Sequence, residues 1–172
     1  SIKIKNFLTK KKTLIKKKKL FNLFESLITS DNKILSSMNK SYKDSYTKKT
    51  ILDMKNVSNV NVIGMGGSTL GAKAIYNFLK PKKKFNFINN FLNFTFKQED
   101  KKNINLIISK SGNTLETISN ANILIDKSKK NIFITENKKS YLMNLANKLK
   151  AEIIHHNNFI GGRYSVLSEV GM

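Results

Sequence analysis

From residue 57 onward, short runs of β-branched and apolar residues alternate with helix-forming stretches, and this alternation constrains the fold more than any other feature. Strands are predicted over residues 60–63, 85–88, 104–108, 131–135 and 152–155. Helices are predicted over residues 69–79, 114–128 and 141–149. Strands that alternate with helices are joined by right-handed crossovers and form a parallel sheet covered on both faces. The pattern therefore predicts an α/β fold with a doubly wound, mostly parallel five-stranded sheet.

The first third of the chain has a different pattern. Residues 1–19 contain nine lysines and no acidic residue, and a block of like charge is usually frayed and solvated. From Leu20 to Ile28 apolar residues recur at helical spacing, and residues 34–55 are predicted as further helix with loops. We therefore expect a Lys-rich N-terminal helical arm over residues 1–55 and a domain over residues 56–172.

The last residues indicate an incomplete domain. Residues 164–172 have the pattern of a helix that has just begun and that stops without a cap. Domains rarely end on a fresh apolar helical turn, so we expect the domain to be truncated at its C-terminal end. The chain also starts with Ser1 rather than Met.

The net charge of +21 raises nucleic-acid binding as a function class. Of the 32 basic residues, however, only Arg163 is arginine, whereas proteins that read sequence rely on the planar fork of arginine. Lysine, asparagine, isoleucine and phenylalanine, all plentiful here, are the residues that an AT-rich genome encodes most readily. We interpret the lysines as a solvated surface, so a nucleic-acid partner is not expected; non-specific, salt-sensitive binding stays an alternative.

The composition excludes cysteine chemistry and a membrane-spanning helix. Cysteine is absent, which rules out disulfides, a thiolate nucleophile and a cysteine-based zinc site. No apolar run approaches the roughly 20 residues of a membrane span, so no membrane partner is expected. His155 and His156 are neighbours at a strand end and face opposite ways, which makes them a poor metal pair. We expect one of them to pack and the other to be exposed.

Three turns that follow predicted strands carry residues suited to chemistry. The first, residues 64–71, is rich in glycine and opens a helix, so backbone N–H groups there can approach an anion. It lacks a nucleotide fingerprint, because Thr69 stands where the dinucleotide pattern needs glycine and Ala72 where the Walker A pattern needs lysine. Either a phosphate or sugar cradle or a purely structural turn fits these residues.

The second turn places three hydroxyls and a glycine at the start of a helix. Its residues are Ser109, Lys110, Ser111, Gly112, Asn113 and Thr114. Hydroxyls and free helix N–H groups can surround a phosphate, and each hydrogen bond to a charged group contributes about 1.5–3 kcal/mol. Helix capping by Ser111 or Thr114 is the alternative, but capping needs one hydroxyl rather than three. We favour a phosphate site.

The third turn carries the only arginine, Arg163, directly after Gly161 and Gly162. A single arginine in a chain that otherwise uses lysine indicates a position that needs a planar, permanently charged group. A guanidinium can stabilise a developing enolate-like oxyanion without losing a proton. An arginine at the surface by chance is the alternative.

Together, the three turns resemble the phosphoglucose isomerase family over residues 57–172. The third motif, 161–168, is highly specific to that family, whereas the second occurs more widely among sugar isomerase (SIS) domains. The resemblance implies the family's first SIS domain and an enzyme that interconverts glucose 6-phosphate and fructose 6-phosphate through a cis-enediolate. It also implies a homodimer in the cytoplasm, a hexose 6-phosphate as substrate, and neither a metal nor an organic cofactor.

The resemblance also assigns roles to residues of this chain. Substrate or phosphate binding falls to Gly67, Ser68, Ser109, Lys110, Ser111, Gly112, Asn113, Thr114 and Gly162. Arg163 would stabilise the enediolate and Glu116 would support ring opening, while Glu169 stands where the family usually has a small residue. The family's general base, ring-opening histidine and late lysine follow these motifs, so we expect this chain alone to bind weakly without turnover. A non-catalytic phosphosugar-binding SIS module is the alternative.

Overall fold

A computed structural model describes residues 10–91 and 103–171. The chain divides into two compact units, Ser1–Tyr42 and Lys43–Met172. The first unit contains the helices α1 (Lys10–Thr29) and α2 (Lys33–Ser36), and the side chain of Asn32 caps α2 by accepting a hydrogen bond from the Ile34 amide. Among the described residues, no helix has the length and apolar character required to cross a bilayer.

The Lys-rich stretch is more ordered than its charge predicts. Residues 10–19 belong to α1, so the prediction of a frayed segment is wrong for them. Lysine is a good helix former, and the repulsion between like charges on a helix is worth only a few tenths of a kcal/mol per pair, so a lysine-rich segment can be helical. The rest of that prediction, residues 1–9, lies outside the described residues.

The second unit alternates strands and helices as the sequence predicts. In chain order its elements are α3 (Lys48–Lys55), β1 (Asn59–Gly64), α4 (Gly67–Leu79), β2 (Lys84–Ile88), β3 (Asn103–Ile108), α5 (Leu115–Leu124), β4 (Lys130–Thr135), α6 (Tyr141–Leu149), β5 (Glu152–His155) and a 3₁₀-helix (Gly162–Leu167). The strands form one sheet in the order β2-β1-β3-β4-β5, with every neighbouring pair parallel. This confirms the predicted doubly wound, five-stranded parallel sheet.

The division between the two units lies before α3 rather than after it. Thr50 of α3 donates a hydrogen bond to Glu152 of β5, and Asp53 forms an ion pair with Lys130 of β4. Met54 packs against the core of the sheet. These contacts place α3 in the second unit, whereas the sequence pattern sets the boundary after residue 55.

Two other elements differ from their predicted extent. α5 ends at Leu124 rather than near residue 128, because Asp126 Oδ1 accepts hydrogen bonds from the amide and the hydroxyl of Ser128 and forms a turn there. Near the C-terminus, the expected helical start is a 3₁₀-helix of six residues. The hydroxyl and the amide of Ser168 both donate to the carbonyl oxygen of Ser165, which closes the end of that helix.

Both faces of the sheet are buried, which explains why its strands carry apolar residues on neighbouring positions, such as Ile107 and Ile108, and not only on alternate ones. One face forms a core cluster that includes Val62, Ile108 and Ile134. The opposite face packs Ile107 and Phe133 against residues of α5 and α6. The turns that follow the strands thus project from a sheet that is packed on both faces.

A row of asparagines crosses the sheet inside this apolar layer. Asn86, Asn61, Asn105 and Asn131 lie opposite one another on β2, β1, β3 and β4. The Nδ2 groups of Asn86, Asn61 and Asn105 each donate to the Oδ1 atom of the next asparagine along the row, at 3.0, 2.9 and 2.9 Å. Buried polar groups cost little when they are hydrogen-bonded, and a one-residue slip in register would break this row. The row therefore specifies the register of four strands.

We expect Asn105→Ala to destabilise the second unit by about 2–4 kcal/mol, because it leaves the Asn61 amide and the Asn131 carbonyl group buried without their partner. Urea unfolding followed by circular dichroism measures the change. Asn147→Ala, at an exposed asparagine of α6, is the control and should change stability by less than about 0.5 kcal/mol. Equal effects of the two substitutions would contradict the role given to the row.

Candidate functional site

The order of the strands creates a crevice at the edge of the sheet that the carboxyl ends of its strands form. β1 and β3 are neighbours, but the chain leaves β1 through α4 toward β2 and leaves β3 through α5 toward β4 on the other side. Neighbouring strands whose connections run in opposite directions mark the point where open α/β sheets bind ligands, at the carboxyl ends of the strands. The first two turns that the sequence singles out lie at this point.

The first and third turns are in direct backbone contact. A Cβ atom at Gly67 would lie 2.3 Å from the carbonyl oxygen of Gly162, so only glycine allows this approach. Ser165 joins the two turns, since its hydroxyl is 2.7 Å from the carbonyl oxygen of Gly162 and 3.2 Å from that of Gly67. The segment that carries Arg163 is therefore held against the start of α4.

In the second turn, the hydroxyls gather at the start of α5. Ser109 Oγ and Thr114 Oγ1 are 3.0 Å apart, and Ser109 Oγ also accepts the Gly112 amide at 3.2 Å. Thr114 is the N-cap residue of α5, but its side chain makes no capping hydrogen bond. The Thr114 side chain therefore does not cap α5, so capping by Thr114 does not account for its hydroxyl.

Gly112 sets the shape of this turn. Its φ angle of +66° lies in the left-handed region, which favours glycine. A Cβ atom there would also lie 2.2 Å from Ser140 Oγ. The turn is further held by the amide of Tyr141, which donates to Asn113 Oδ1 at 2.9 Å, and by the amide of Leu142, which donates to the Gly112 carbonyl oxygen at 3.0 Å. Asn113 thus positions the turn against the start of α6.

Lys110 connects the second turn to the loop that precedes the third. Its Nζ atom donates to the carbonyl oxygen of Asn158 at 2.7 Å and lies 3.4 Å from Glu136 Oε1. Glu136 also pairs with Lys138 at 2.5 Å. The sequence reasoning missed Glu136, although its place directly after β4, at the same edge of the sheet, is the signal that could have found it.

The buried carboxylate of Glu136 makes the stability of the fold depend on pH. Burial acts to raise the pKa of Glu136, but hydrogen bonds from Lys138 and Lys110 outweigh it and hold this pKa below its ordinary value of 4.5. A lowered pKa in the folded state stabilises the fold above about pH 4.5, and the contribution is lost as the pH falls through the folded value.

Accordingly, we expect Glu136→Gln to be less stable than the parent chain at pH 7 and to approach its stability near pH 3. Urea unfolding at the two pH values measures the difference in the free energy of unfolding. Lys138→Gln removes one of the two lysine partners of Glu136. In that background, Glu136→Gln should cost less stability at pH 7 than it does in the parent chain. A gap between parent and Glu136→Gln that is the same at both pH values would contradict this assignment.

The remaining predicted site residues are distributed around the same edge. Arg163 is exposed, and Ser68 and Glu116 are partly exposed in the first turns of α4 and α5. His156 is buried and His155 is partly exposed, as the alternation of side chains in a strand predicts. Among the described residues, no group of three or more histidines, cysteines, aspartates or glutamates is placed to hold a metal ion.

Comparison with known proteins gives a consistent result. Residues 25–172 match the model of the family described as phosphoglucose isomerase. A protein of Borrelia garinii subsp. bavariensis named glucose-6-phosphate isomerase is 38% identical over 139 residues, which cover 69% of this chain and 26% of that protein. A protein of Methanocaldococcus jannaschii with the same name is 36% identical over 167 residues, covering 88% of this chain and 39% of that protein.

A solved structure also resembles the fold. The crystal structure of a hypothetical protein from Thermus thermophilus matches with a TM-score of 0.60 and 25% identity, covering 69% of this chain and 33% of that one. This chain thus spans about a quarter to two fifths of the length of the named relatives.

Proposed function

The chain belongs to the phosphoglucose isomerase family, and on that premise we propose that it supplies the phosphosugar-binding part of an aldose–ketose isomerase. The proposed reaction interconverts glucose 6-phosphate and fructose 6-phosphate. The observation that carries the proposal lies at the carboxyl edge of the sheet, beside the point where the connections reverse. The first and third turns touch there, and Lys110 of the second turn reaches the loop that leads to the third.

The second turn is proposed to hold the phosphate group. Ser109, Ser111 and Thr114 offer hydroxyls within one turn, and α5 begins directly after them with its N-terminus toward the same edge. The N-terminus of a helix carries partial positive charge, which favours an anion. The Lys110 backbone belongs to the same turn, and the start of α4 at Gly67 and Ser68 would complete the cradle from the other side of the crevice.

Arg163 is proposed to act on the sugar rather than on the phosphate. Isomerisation moves a proton between C1 and C2, and the intermediate is a cis-enediolate whose negative charge lies on oxygen. The guanidinium of Arg163 stays charged at every physiological pH and can donate two parallel hydrogen bonds to such an oxygen pair. Glu116 is assigned to ring opening, and we assign no general base among the described residues.

Titration of the 172-residue chain with glucose 6-phosphate tests the binding step. We expect the backbone amide signals of residues 109–114 to shift, and glucose without phosphate to leave them unchanged. Ser111→Ala and Thr114→Val should each weaken binding at least tenfold, because a hydrogen bond to a charged group contributes about 1.5–3 kcal/mol. Ser119→Ala, farther along α5, serves as the control. Equal shifts with glucose and with glucose 6-phosphate would contradict the phosphate assignment.

An isomerase assay of the complete protein separates the proposed enzyme from its alternatives. A non-catalytic module would bind the phosphosugar and show no conversion. A nucleic-acid-binding protein would instead show affinity for RNA or DNA that falls steeply with salt. The homodimer and the cytoplasmic location that the resemblance implies stay predictions, which sedimentation and cell fractionation would test.

A further inference from the structure

Two buried ionisable side chains lie next to the Arg163 segment and have no part in the proposed phosphate site. His156, directly after β5, is 1% exposed, and Glu169, after the 3₁₀-helix, is 4% exposed. His156 Nδ1 and Glu169 Oε2 are 3.9 Å apart. Glu169 also distinguishes this chain from the family, because the resemblance predicts a small residue at that position.

The hydrogen bond of the other ring nitrogen determines how the two groups face each other. His156 Nε2 is 3.1 Å from the carbonyl oxygen of Ile160, and a carbonyl oxygen can only accept. Nε2 therefore carries a proton. Nδ1 is then the ring atom that faces Glu169 Oε2, across 3.9 Å, which is ion-pair distance rather than hydrogen-bond distance.

The positions of the two residues make this contact a clamp. His156 and Ile160 precede the 3₁₀-helix Gly162–Leu167 and Glu169 follows it, so the contact joins the two ends of the loop that carries Arg163. A third segment fixes Glu169, because the Ser45 hydroxyl donates to Glu169 Oε1 at 3.2 Å. The loop is thus closed at its base while Arg163, at its tip, is exposed.

We propose that the His156–Glu169 contact positions Arg163 by closing the base of its loop. The two residues are positioning residues, since neither needs to touch the sugar. The proposal rests on the proposed function for its purpose, but the order that it imposes on Arg163 can be measured without any ligand. A buried pair suits this role because both side chains are almost fully enclosed, so a change in either one alters the packing at the base of the loop.

Arg163 is the only arginine of the chain, so its side-chain Nε–H signal in a proton–nitrogen correlation spectrum is unambiguous. We would record this signal, its heteronuclear NOE and the backbone amides of residues 161–167 in the parent chain and in His156→Gln, Glu169→Gln and the double variant. His155→Gln is the matched control: its ring accepts the Asn137 amide and takes no part in the clamp.

The expected result is a loss of order at Arg163 and at residues 161–167 in each single variant, while the amides of β1 and β3 stay in place. The double variant should lose no more order than the single variants, because either substitution alone already removes the ionisable pair. His155→Gln should resemble the parent. Unchanged Arg163 order in both single variants, or the same loss in His155→Gln, would overturn the proposal. Loss of the β1 and β3 amides in all three clamp variants would overturn it too.

Kinetics of the complete protein separate this proposal from the proposed function. The single clamp variants should lower kcat about tenfold with little change in KM, because they disorder Arg163, whose contact with the sugar forms in the transition state. Binding of inorganic phosphate should match that of the parent. A parent chain that binds neither fructose 6-phosphate nor inorganic phosphate contradicts the proposed function, whereas the order of Arg163 still decides the clamp. An unchanged kcat in both single variants contradicts the clamp alone.

Discussion

Arg163→Lys is expected to lower kcat for the interconversion of glucose 6-phosphate and fructose 6-phosphate about 10²–10³-fold in the complete protein, with little change in KM. The size is that of removing one donor from a preorganised oxyanion site. Lysine keeps the positive charge but loses the planar fork, so it cannot hold two oxygens of an enediolate at once. Because this contact forms in the transition state, the loss falls on kcat rather than on KM.

A coupled assay over a range of substrate concentrations separates the two constants for Arg163→Lys. Lys148→Arg, an exchange of the same two side chains at an exposed position near the end of α6, is the control and should leave both constants unchanged. Full activity in Arg163→Lys would remove the role assigned to the guanidinium. A rise in KM with unchanged kcat would instead assign Arg163 to ground-state binding.

Gly67→Ala is expected to destabilise the second unit by about 1–3 kcal/mol and to reduce the activity of the complete protein about a hundredfold. The new Cβ atom would lie 2.3 Å from the carbonyl oxygen of Gly162, and a backbone atom cannot move aside by changing a rotamer. The third turn must therefore shift away from α4 and take Arg163 with it. A displacement of about 1 Å at a reacting group is enough for such a loss.

Gly161→Ala is the matched control for Gly67→Ala. Its φ angle of −72° suits any residue, and the nearest atom to its Cβ would be Tyr164 Cδ2 at 3.7 Å, an ordinary contact. Its stability should stay within about 0.5 kcal/mol of the parent or rise slightly through the loss of unfolded-state entropy. Urea unfolding and the isomerase assay report both effects, and a Gly67→Ala variant as stable and active as Gly161→Ala would show that the two turns do not touch.

The register of the sheet illustrates a property that no short window of sequence contains. Hydrophobic pattern identifies Asn61 and Asn105 as members of strands, but it treats them as polar interruptions of an apolar run. Their role as hydrogen-bond partners becomes apparent only when β1, β3 and β4 are paired, because each side chain then contacts the next along the row. The boundary before α3 is similar, because it depends on contacts between Thr50 and Glu152, which are 102 residues apart.

The candidate site could also be predicted only in part from the sequence. The sequence indicated the three turns, because glycines, clustered hydroxyls and a lone arginine suggest binding or catalysis without knowledge of the fold. Two contacts around the site were not: the approach of Gly67 to Gly162 and the approach of His156 to Glu169. Glu136 was overlooked for the same reason, since its lysine partners are selected by the fold.

By itself, the sequence determined the types and order of the elements, the parallel character of the sheet and the strand ends where chemistry is placed. It could do so because periodicity, turn residues and helix starts are properties of neighbours in the chain. Only the tertiary structure decided the strand order β2-β1-β3-β4-β5, and with it the crevice between β1 and β3. Strand order results from burying two apolar faces at once, and that burial selects among pairings of distant residues that the local pattern leaves equal.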